Sequence, residues 1–406
     1  METGLNFSVK IGDLHSDSFN VVKFTLDEAL SELFTLTLTL SSRNNDIALT
    51  DQLLQKVEFV VYANGQKQRA INGIVASATR GDSDFEQTFY TIVVRPPLWQ
   101  LTLTEGSQAY HLKSVPEIID EILNDFGIAF DKRLTESHSE RNSTTMEHES
   151  YADFIFRLMS EEGITFWHEE NQLIYSDSHL GMTAGIDLIY NPHLQKENSI
   201  SQLSFSAQVR PTQVGMQHYS YHDEDLAEQF NKYRLEALQA DSELGEAISN
   251  CLMLMPGKIF NITNHPSPSM NNSWQITKIT HHSTSSATLN NQGDDKTVKL
   301  INQFNFIPGK KEWRPMPIAK PLVSTNETIG SYQLTVGESK NETVALNSME
   351  ETGVLKKLTV GKRFEIVCGE TRFAMSSNGK IVLTGRKILI DGDKLVDING
   401  DKVEIN

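Results

Sequence analysis

The sequence has little cysteine and none of the long apolar runs that membrane proteins need. Its 406 residues include two cysteines, Cys251 and Cys368. No disulfide framework is therefore expected, and synthesis in a reducing cytosol fits. Apolar stretches such as Val57–Ala63 fall far short of the ~20 residues of a membrane-spanning helix. The start, Met1–Phe7, has neither the basic nor the apolar region of a signal peptide. If the protein leaves the cell, it must do so by a route that reads no signal peptide.

Basic charge is also scarce. Lys and Arg number 36 against 53 Asp and Glu, which gives a formal net charge of -17. Nucleic acids and anionic lipids both attract basic surfaces, so this balance argues against either as a partner. Hydrophobic residues at 38% and charged residues at 22% are typical of a folded soluble chain. A length of 406 residues predicts two or three domains.

Recognisable catalytic motifs are missing. The sequence contains no Gly-x-Ser-x-Gly elbow, no phosphate-binding glycine loop and no His-Glu-x-x-His zinc motif. His218 and His222 have a spacing that could present two imidazoles to a metal, and His281 and His282 are adjacent. No Cys or carboxylate completes either site. The strand pattern predicts exposed histidines, and satisfied core histidines are the other structural interpretation. We predict no enzyme, no catalytic or metal-binding residue and no cofactor.

Three further groups of residues have structural interpretations. The tail carboxylates resemble calcium ligands but lack a bidentate Glu, so we assign them to hairpin or solenoid turns, with ions on an oligomer axis as the alternative. The alternating sulfur residues are assigned to the core, and the glutamate pair is assigned to a solvated helix end. These groups are Asp391, Asp393, Asp397 and Asp401; Cys251, Met253 and Met255; and Glu161 and Glu162.

The first hundred residues have the alternation of β-strands. In Phe34–Leu40 one face carries Phe and Leu and the other carries Thr, as in a half-buried antiparallel strand. Asn64-Gly65 predicts a tight hairpin turn after Val57–Tyr62. Phe85–Val94 predicts a further strand. Together these segments predict a small antiparallel barrel or sandwich.

Helix signals follow. Ser114 and Glu117 form a capping box around Pro116, and Gly127 ends the helix. A second helix is predicted over Ser150–Glu162, and Asp225–Gln239 also favours a helix. Strands return before and after that segment, and a proline-rich strip then marks the clearest boundary in the chain. These segments are Ser201–Val209, Gln213–Tyr221, Lys258–Ile262, Trp274–His282, Lys296–Phe306 and the strip Trp313–Pro321.

The chain after Pro321 changes character. It has no proline and no tryptophan, and short β-rich pieces end in Val-Gly or Ile-Asp-Gly, as in Leu358–Gly361 and Ile388–Gly392. Such repeats indicate a β-solenoid or β-prism. About 85 residues of this kind bury little core alone and leave open sheet edges. We infer an obligate oligomer, most simply a trimer.

Several segments, taken in order, resemble the VgrG family, the valine–glycine repeat spikes of type VI secretion, whose front part is similar to the hub of contractile phage tails. The most recognisable stretch is Glu149–Phe154 followed by Arg157–Ile164. The other segments are Val94–Trp99, Ser114–Ile119, Arg234–Leu238, Pro256–Phe260 with His265-Pro266, and Trp313–Pro315 with Lys320-Pro321.

The resemblance implies a mainly β fold with a few helices (α+β), in which β-barrel hub domains precede a trimeric β-prism or β-helix needle. Residues 1–321 would be the phage tail hub-like domain, with two β-barrel subdomains and inserted helices. Residues 322–406 would be the needle. An OB-fold domain is expected between them, and this sequence lacks it.

The resemblance also implies a role and partners. The chain would be a homotrimeric, non-enzymatic spike on the Hcp tube hexamer, contacting baseplate components, a PAAR-repeat tip protein and cargo effectors, and injected into a target cell. Val403, Ile405 and Asn406 would contact the tip protein, or else the apolar pair closes the last needle layer. A phage-associated cell-wall hydrolase and a tail-fibre adhesin stay open as alternatives.

Overall fold

A computed structural model of the chain describes residues 4–193, 198–214, 224–285, 298–319, 356–391, 394–397 and 401–403. The chain divides into two compact units, Met1–Asn326 and Glu327–Asn406. We call the first the hub unit and the second the tail unit. The fold is mainly β with a few helices, which confirms the predicted fold class.

The hub unit begins with an antiparallel sheet of six strands. Along β3 the leucines are buried and the threonines between them are half-buried, as the alternation predicted. Phe7 of β1 packs edge to face on Phe24 of β2 with ring centroids 5.3 Å apart, which brings the two ends of the sheet together. The sheet order is β1-β4-β5-β6-β3-β2. The strands are β1 (Leu5–Ile11), β2 (Asn20–Ala29), β3 (Thr35–Ser42), β4 (Lys56–Ala63), β5 (Gln66–Ser83) and β6 (Thr88–Arg95).

The predicted hairpin turn joins β4 to β5. Asn64 and Gly65 have φ of 51° and 77°, the left-handed values that a tight hairpin turn requires at both positions. The predicted strand Phe85–Val94 begins late, at Thr88. Asp84 accepts hydrogen bonds from the amides of Glu86 and Gln87, both at 2.7 Å, so these residues form a turn.

A mixed segment with two helices follows β6. Its elements are β7 (Glu105–Lys113), α1 (Val115–Asp125), β8 (Phe130–Lys132), β9 (Arg141–Ser150), α2 (Tyr151–Glu161), β10 (Thr165–Glu169) and β11 (Gln172–Ser176). Both helices start where the sequence predicts. Ser114 and Glu117 form the capping box, and Ser150 accepts a hydrogen bond from the Asp153 amide. Each helix buries its apolar face against the other and against β10 and β11.

A second group of six strands closes on itself as a barrel. The closed order is β16-β15-β12-β13-β14-β17, with β17 pairing back to β16. Its aromatic core includes Phe260, Trp274, Phe304 and Phe306. The elements are β12 (Thr183–Tyr190), β13 (Ser199–Ala207), α3 (Glu224–Leu238), β14 (Glu243–Ser249), β15 (Lys258–Thr263), β16 (Ser273–Ser285) and β17 (Val298–Pro308).

Strand β16 also pairs with β2, so one continuous sheet runs through both groups of strands. The predicted strand Gln213–Tyr221 is not observed at Gln213 and Val214, and its remaining residues lie outside the described ranges. In the tail unit, the described strands are β18 (Arg363–Cys368), β19 (Thr371–Ser376) and β20 (Ile381–Thr384), which form an antiparallel sheet.

Candidate functional site

The predicted tip-contact residues fall in the tail unit. Val403 is about half exposed, whereas Ile405 and Asn406 lie outside the described residues. The contact with a tip protein therefore remains a prediction. The described tail strands show a larger surface.

One face of the β18–β20 sheet carries a patch of six apolar side chains. Strand register places Phe364, Met375 and Ile381 in one row across the three strands. Side chains two residues apart on a strand share a face, so the neighbouring row is on the same side. That row is Ile366, Phe373 and Leu383. The other side is mixed: it carries Glu365, Arg372 and Ala374 together with Val367 and Val382.

This six-residue surface, which we call the tail face, has no covering layer in the described part of the chain. Ile366 and Ile381 are 55% and 66% exposed, although each belongs to a continuous apolar patch. Among the described tail residues, Ala374 is the only buried hydrophobic residue. A contiguous apolar patch of this kind is typical of an interface.

The tail face extends into a cavity of about 250 Å³. Leu358, Val360, Phe364 and Met375 line it. Strands β18 and β20 are the two edges of the described sheet, and edge strands offer unpaired backbone groups to another chain. The tail thus presents both an apolar surface and open sheet edges.

In the hub unit, buried charged side chains are paired with one another. Arg69 donates two hydrogen bonds to the Glu28 carboxylate, at 2.6 and 2.7 Å, and both side chains are buried. His281 lies against them, with Nε2 at 3.2 Å from Arg69 and 3.1 Å from the Leu254 carbonyl. Burial and the nearby guanidinium keep the pKa of His281 well below its usual value. The result is a neutral imidazole in the core, held through Nε2, while its buried Nδ1 has no hydrogen-bond partner among the described residues.

The prediction of exposed histidines at this strand is therefore half wrong. His281 is completely buried, because β16 is a central strand that pairs with β2 as well as with β15 and β17. His282 is exposed and hydrogen-bonds to Thr25 at 3.2 Å. His218 and His222 lie outside the described residues.

A second buried ionic cluster surrounds His138. Its Nδ1 lies 2.8 Å from Glu162 and its Nε2 lies 3.2 Å from Asp177. Burial alone would lower the pKa of His138, but hydrogen bonds to the two carboxylates outweigh it and raise the pKa to about 9. Asp177 also accepts hydrogen bonds from the amides of Thr135 and Glu136. Burial alone would raise the pKa of Asp177, but the hydrogen bond with His138 and then these amide bonds outweigh it and lower the pKa to about 2.

The prediction that Glu161 and Glu162 are solvated is wrong. Glu162 is buried and pairs with His138 and with Arg141 at 2.5 Å. Glu161 is mostly buried between Arg141 at 2.7 Å and Arg157 at 3.2 Å. The two carboxylates end α2 near its partially negative terminus, where nearby cations are favourable.

The remaining candidates divide between core and surface. Cys251 is buried, as predicted, but Met253 is 43% exposed because residues 250–254 leave the strand. Of the tail carboxylates, Asp391, Asp397 and Asp401 are exposed. Asp393 lies outside the described residues. The described residues contain no group of three His, Cys, Asp or Glu placed to hold a metal.

Known proteins are similar to the hub unit of this chain. The family model of the phage tail baseplate hub (GPD) matches residues 27–225 and 215–287. The chain belongs to this family. The matched residues cover most of the hub unit, from the end of β2 into β16, and include α2.

Curated relatives of this hub protein confirm the resemblance to VgrG. The type VI secretion system spike protein VgrG3 of Vibrio cholerae is 25% identical over 79% of this chain, and the match covers 36% of VgrG3. The actin cross-linking toxin VgrG1 of Vibrio cholerae is 28% identical over 79% of this chain, with 34% of its own length covered. The chain thus spans about a third of these relatives.

Solved structures show the same hub fold. The E. coli c3393 protein is described as a type VI secretion component similar to the T4 tail proteins gp27 and gp5. It has a TM-score of 0.63 and 20% identity, covering 77% of this chain and 80% of its own. The 43 kDa tail protein of prophage MuSo2 from Shewanella oneidensis has a TM-score of 0.55 and 12% identity. It covers 76% of this chain and 99% of its own.

No helix among the described residues is both long and apolar enough to cross a membrane. Sequence reasoning found the tail repeats but missed the His138 cluster. Glu162 and Asp177 are 24 and 39 residues from His138 in the chain, and only the fold brings them together. A single signal was available, since two adjacent glutamates at a helix end are unfavourable without nearby cations.

Proposed function

We propose that this chain is a structural, homotrimeric spike subunit of a type VI secretion machine. Residues 1–321 act as the hub and residues 322–406 as the needle, without the OB-fold domain expected between them. The role is mechanical, and the chain itself catalyses no reaction. The matches to a baseplate hub family and to spike proteins support this proposal.

The tail face is the observation that carries the proposal. Six apolar side chains on three short strands are left without a covering layer in the described tail. A sheet with an open apolar face and open edges exposes surface that readily pairs with another chain. Two further copies would supply both the missing layer and partners for the edges, and the net charge of -17 would keep the outer surface soluble.

The partners follow from the same role. The hub ring would sit on the Hcp tube hexamer and contact baseplate components, while the far end of the needle would receive a PAAR-repeat tip protein at Val403, Ile405 and Asn406. Contraction would drive the assembly through a target membrane together with cargo effectors. The protein would assemble in the cytoplasm and leave the cell through the apparatus.

Two neighbouring residues of β20 provide the test. Leu383 belongs to the tail face, and Thr384 points to the opposite side of the same strand. Both are exposed in the single chain, so a monomeric protein would tolerate Leu383→Asp and Thr384→Asp equally. A needle buries Leu383 in every copy, and an unpaired buried carboxylate costs several kcal/mol.

The measurements are export of the protein into the medium and killing of competitor cells. We expect Leu383→Asp to abolish both and Thr384→Asp to leave both near the unaltered level. Equal behaviour of the two variants would contradict the proposal. Peptidoglycan cleavage by the purified chain would instead favour a hydrolase, and binding to target cells without the machine would favour an adhesin.

A further inference from the structure

The segment after β17 is held in place without belonging to any helix or strand. We call Glu312–Ile318 the exit strip, because the chain passes through it after leaving the second barrel. Its residues are irregular in structure, and irregular segments ordinarily open with little free-energy cost. In this protein the strip is fixed at four successive points.

The first two points lie at the start of the strip. The Glu312 carboxylate accepts hydrogen bonds from the His179 amide at 2.9 Å and from the Ser178 hydroxyl at 3.1 Å. The Trp313 carbonyl accepts a hydrogen bond from the Thr165 hydroxyl at 3.0 Å. These donors belong to β10 and to the turn after β11, which are far from β17 in the sequence.

Arg314 is the third point and the most buried. Its Nη1 donates to the Gly163 carbonyl at 2.7 Å and to the Asp177 carbonyl. Its Nε donates to Glu236 at 2.8 Å. The guanidinium also lies 4.8 Å from the ring centroid of Tyr233, within cation–π distance. One side chain thus joins the end of α2, the end of β11 and α3.

The fourth point is the Ile318 amide, which donates to the Ser160 hydroxyl at 3.0 Å. Ser160 is buried near the end of α2. Asp177 holds His138, which in turn holds Glu162. The strip is therefore tied to the buried ionic cluster as well as to the helix.

We propose that the exit strip is an anchor and that Arg314 is its positioning residue. A pulling force applied to the chain beyond Ile318 would then be transmitted to the hub through α2 and α3. This inference rests on the proposed function, because an anchor matters only where the tail is loaded. A buried guanidinium with three hydrogen-bonded partners is costly to release, since each partner would be left unsatisfied. The anchor replaces the hydrogen-bond ladder that the strip lacks.

Hydrogen exchange of the full chain tests the anchor. We compare the unaltered protein with Arg314→Lys, which keeps the charge but loses the planar fork, and with Thr165→Val, which removes one hydroxyl at constant shape. Arg43→Ala, at an exposed hub position, is the matched control. We expect exchange of the Ile318 amide to rise at least about tenfold in Arg314→Lys and roughly threefold in Thr165→Val, and to stay unchanged in the control.

The other amides decide whether the effect is local. Protection of the β10 and β11 amides should be retained in Arg314→Lys. An unchanged Ile318 amide in both variants would overturn the proposal. Faster exchange spread equally over β10 and β11 would overturn it too, because Arg314 would then support the hub as a whole.

A force measurement separates an anchor from a general stabiliser. The full chain is held by its two ends in an optical trap. Release of the exit strip, Glu312–Ile318, should add a step of about 25 Å, the extended length of seven residues. Arg314→Lys should lower the force of that step and leave the unfolding force of the barrels unchanged. A change in the unfolding force of the barrels alone would contradict the anchor.

The mass of the protein in solution is measured in parallel. Loss of the trimer with an intact strip would contradict the proposed function and not the anchor.

Discussion

The hub and tail units of this chain treat apolar side chains in opposite ways. In the hub unit, alternating leucines of β3 and the aromatic residues of the second barrel are fully buried by the chain's own strands. In the tail unit, equally regular alternation produces a face that stays 39–66% exposed at Ile366, Met375, Ile381 and Leu383. The same sequence pattern therefore gives a closed core in one unit and an open surface in the other.

This difference shows what alternation can and cannot establish. Period-two patterning selects which side chains share a face, but it does not supply the layer that covers the face. The hub closes because six strands curl around an interior and helices cover the remainder. The described tail sheet has three short strands and no helix, so its cover must come from elsewhere, and we propose that it comes from other copies.

The largest expected effect contrasts two exposed residues of similar size. Ile381 in the tail is 66% exposed and Leu103 in the hub is 60% exposed. Ile381→Asp should convert the trimer to monomers, because each copy would bury an unpaired carboxylate. Leu103→Asp should change the free energy of unfolding by no more than about 0.5 kcal/mol. Sedimentation and thermal unfolding measure the two results, and equal tolerance of both changes would break the comparison.

A substitution in the hub core should lower stability without changing the oligomer. Leu38 is fully buried between β2 and β6, so Leu38→Ala should lower the unfolding free energy of the hub by about 2–5 kcal/mol. The adjacent Thr37 is half-buried on the other side of β3, and Thr37→Ala serves as the control with a smaller loss. Denaturant titration gives both values. The mass of the oligomer should not change in either variant. Dissociation in Leu38→Ala would contradict the claim that the hub core and the association of copies are separate.

Two glycines of the hub have left-handed backbone conformations but different surroundings. Gly257 has φ of 82°, and a Cβ there would overlap the Trp167 indole. Gly127 has φ of 63° with open space around it. Gly257→Ala should therefore cost ~2–3 kcal/mol from strain and overpacking, whereas Gly127→Ala should cost only ~1 kcal/mol from the backbone. Equal losses in thermal unfolding would mean that the Trp167 contact adds nothing.

A pH dependence is expected in the hub. The pKa of His138 is raised from 6.5 to about 9 in the folded chain. A group with a raised pKa stabilises the folded state fully below about pH 6.5 and loses that contribution as the pH rises through about 9. The hub should unfold at a lower temperature at pH 9.5 than at pH 6.5. His138→Gln should flatten that slope, and an unchanged slope would show that the imidazolium carries no net stabilisation.

Local signals predicted local structure well. The capping box of Ser114 and Glu117, the turn at Asn64-Gly65 and the alternation of β3 all depend on residues close in sequence, so they could be read without the fold. The family resemblance also supplied the hub architecture. The tail face could be predicted only as a need for partners, because the register of β18 to β20 sets which side chains meet.

Long-range polar contacts could not be predicted. His281 was expected on the surface because strand alternation does not reveal that β16 is central in a continuous sheet. Glu162 was expected in solvent because its partners come from a loop and from β9. Arg314 belonged to a recognisable strip, yet nothing nearby in sequence indicates Gly163, Asp177 or Glu236 as its partners.

The most direct test of the central claim is the mass of the full chain in solution, measured by light scattering on a size-exclusion column over a range of concentrations. One chain has a mass of 45.7 kDa, and three chains would give about 137 kDa. We predict a species of that trimer mass that persists on dilution, because the tail face is covered only when copies associate. A folded monomer whose tail amides are protected from hydrogen exchange would contradict the account, since the tail would then be stable with its apolar face in water.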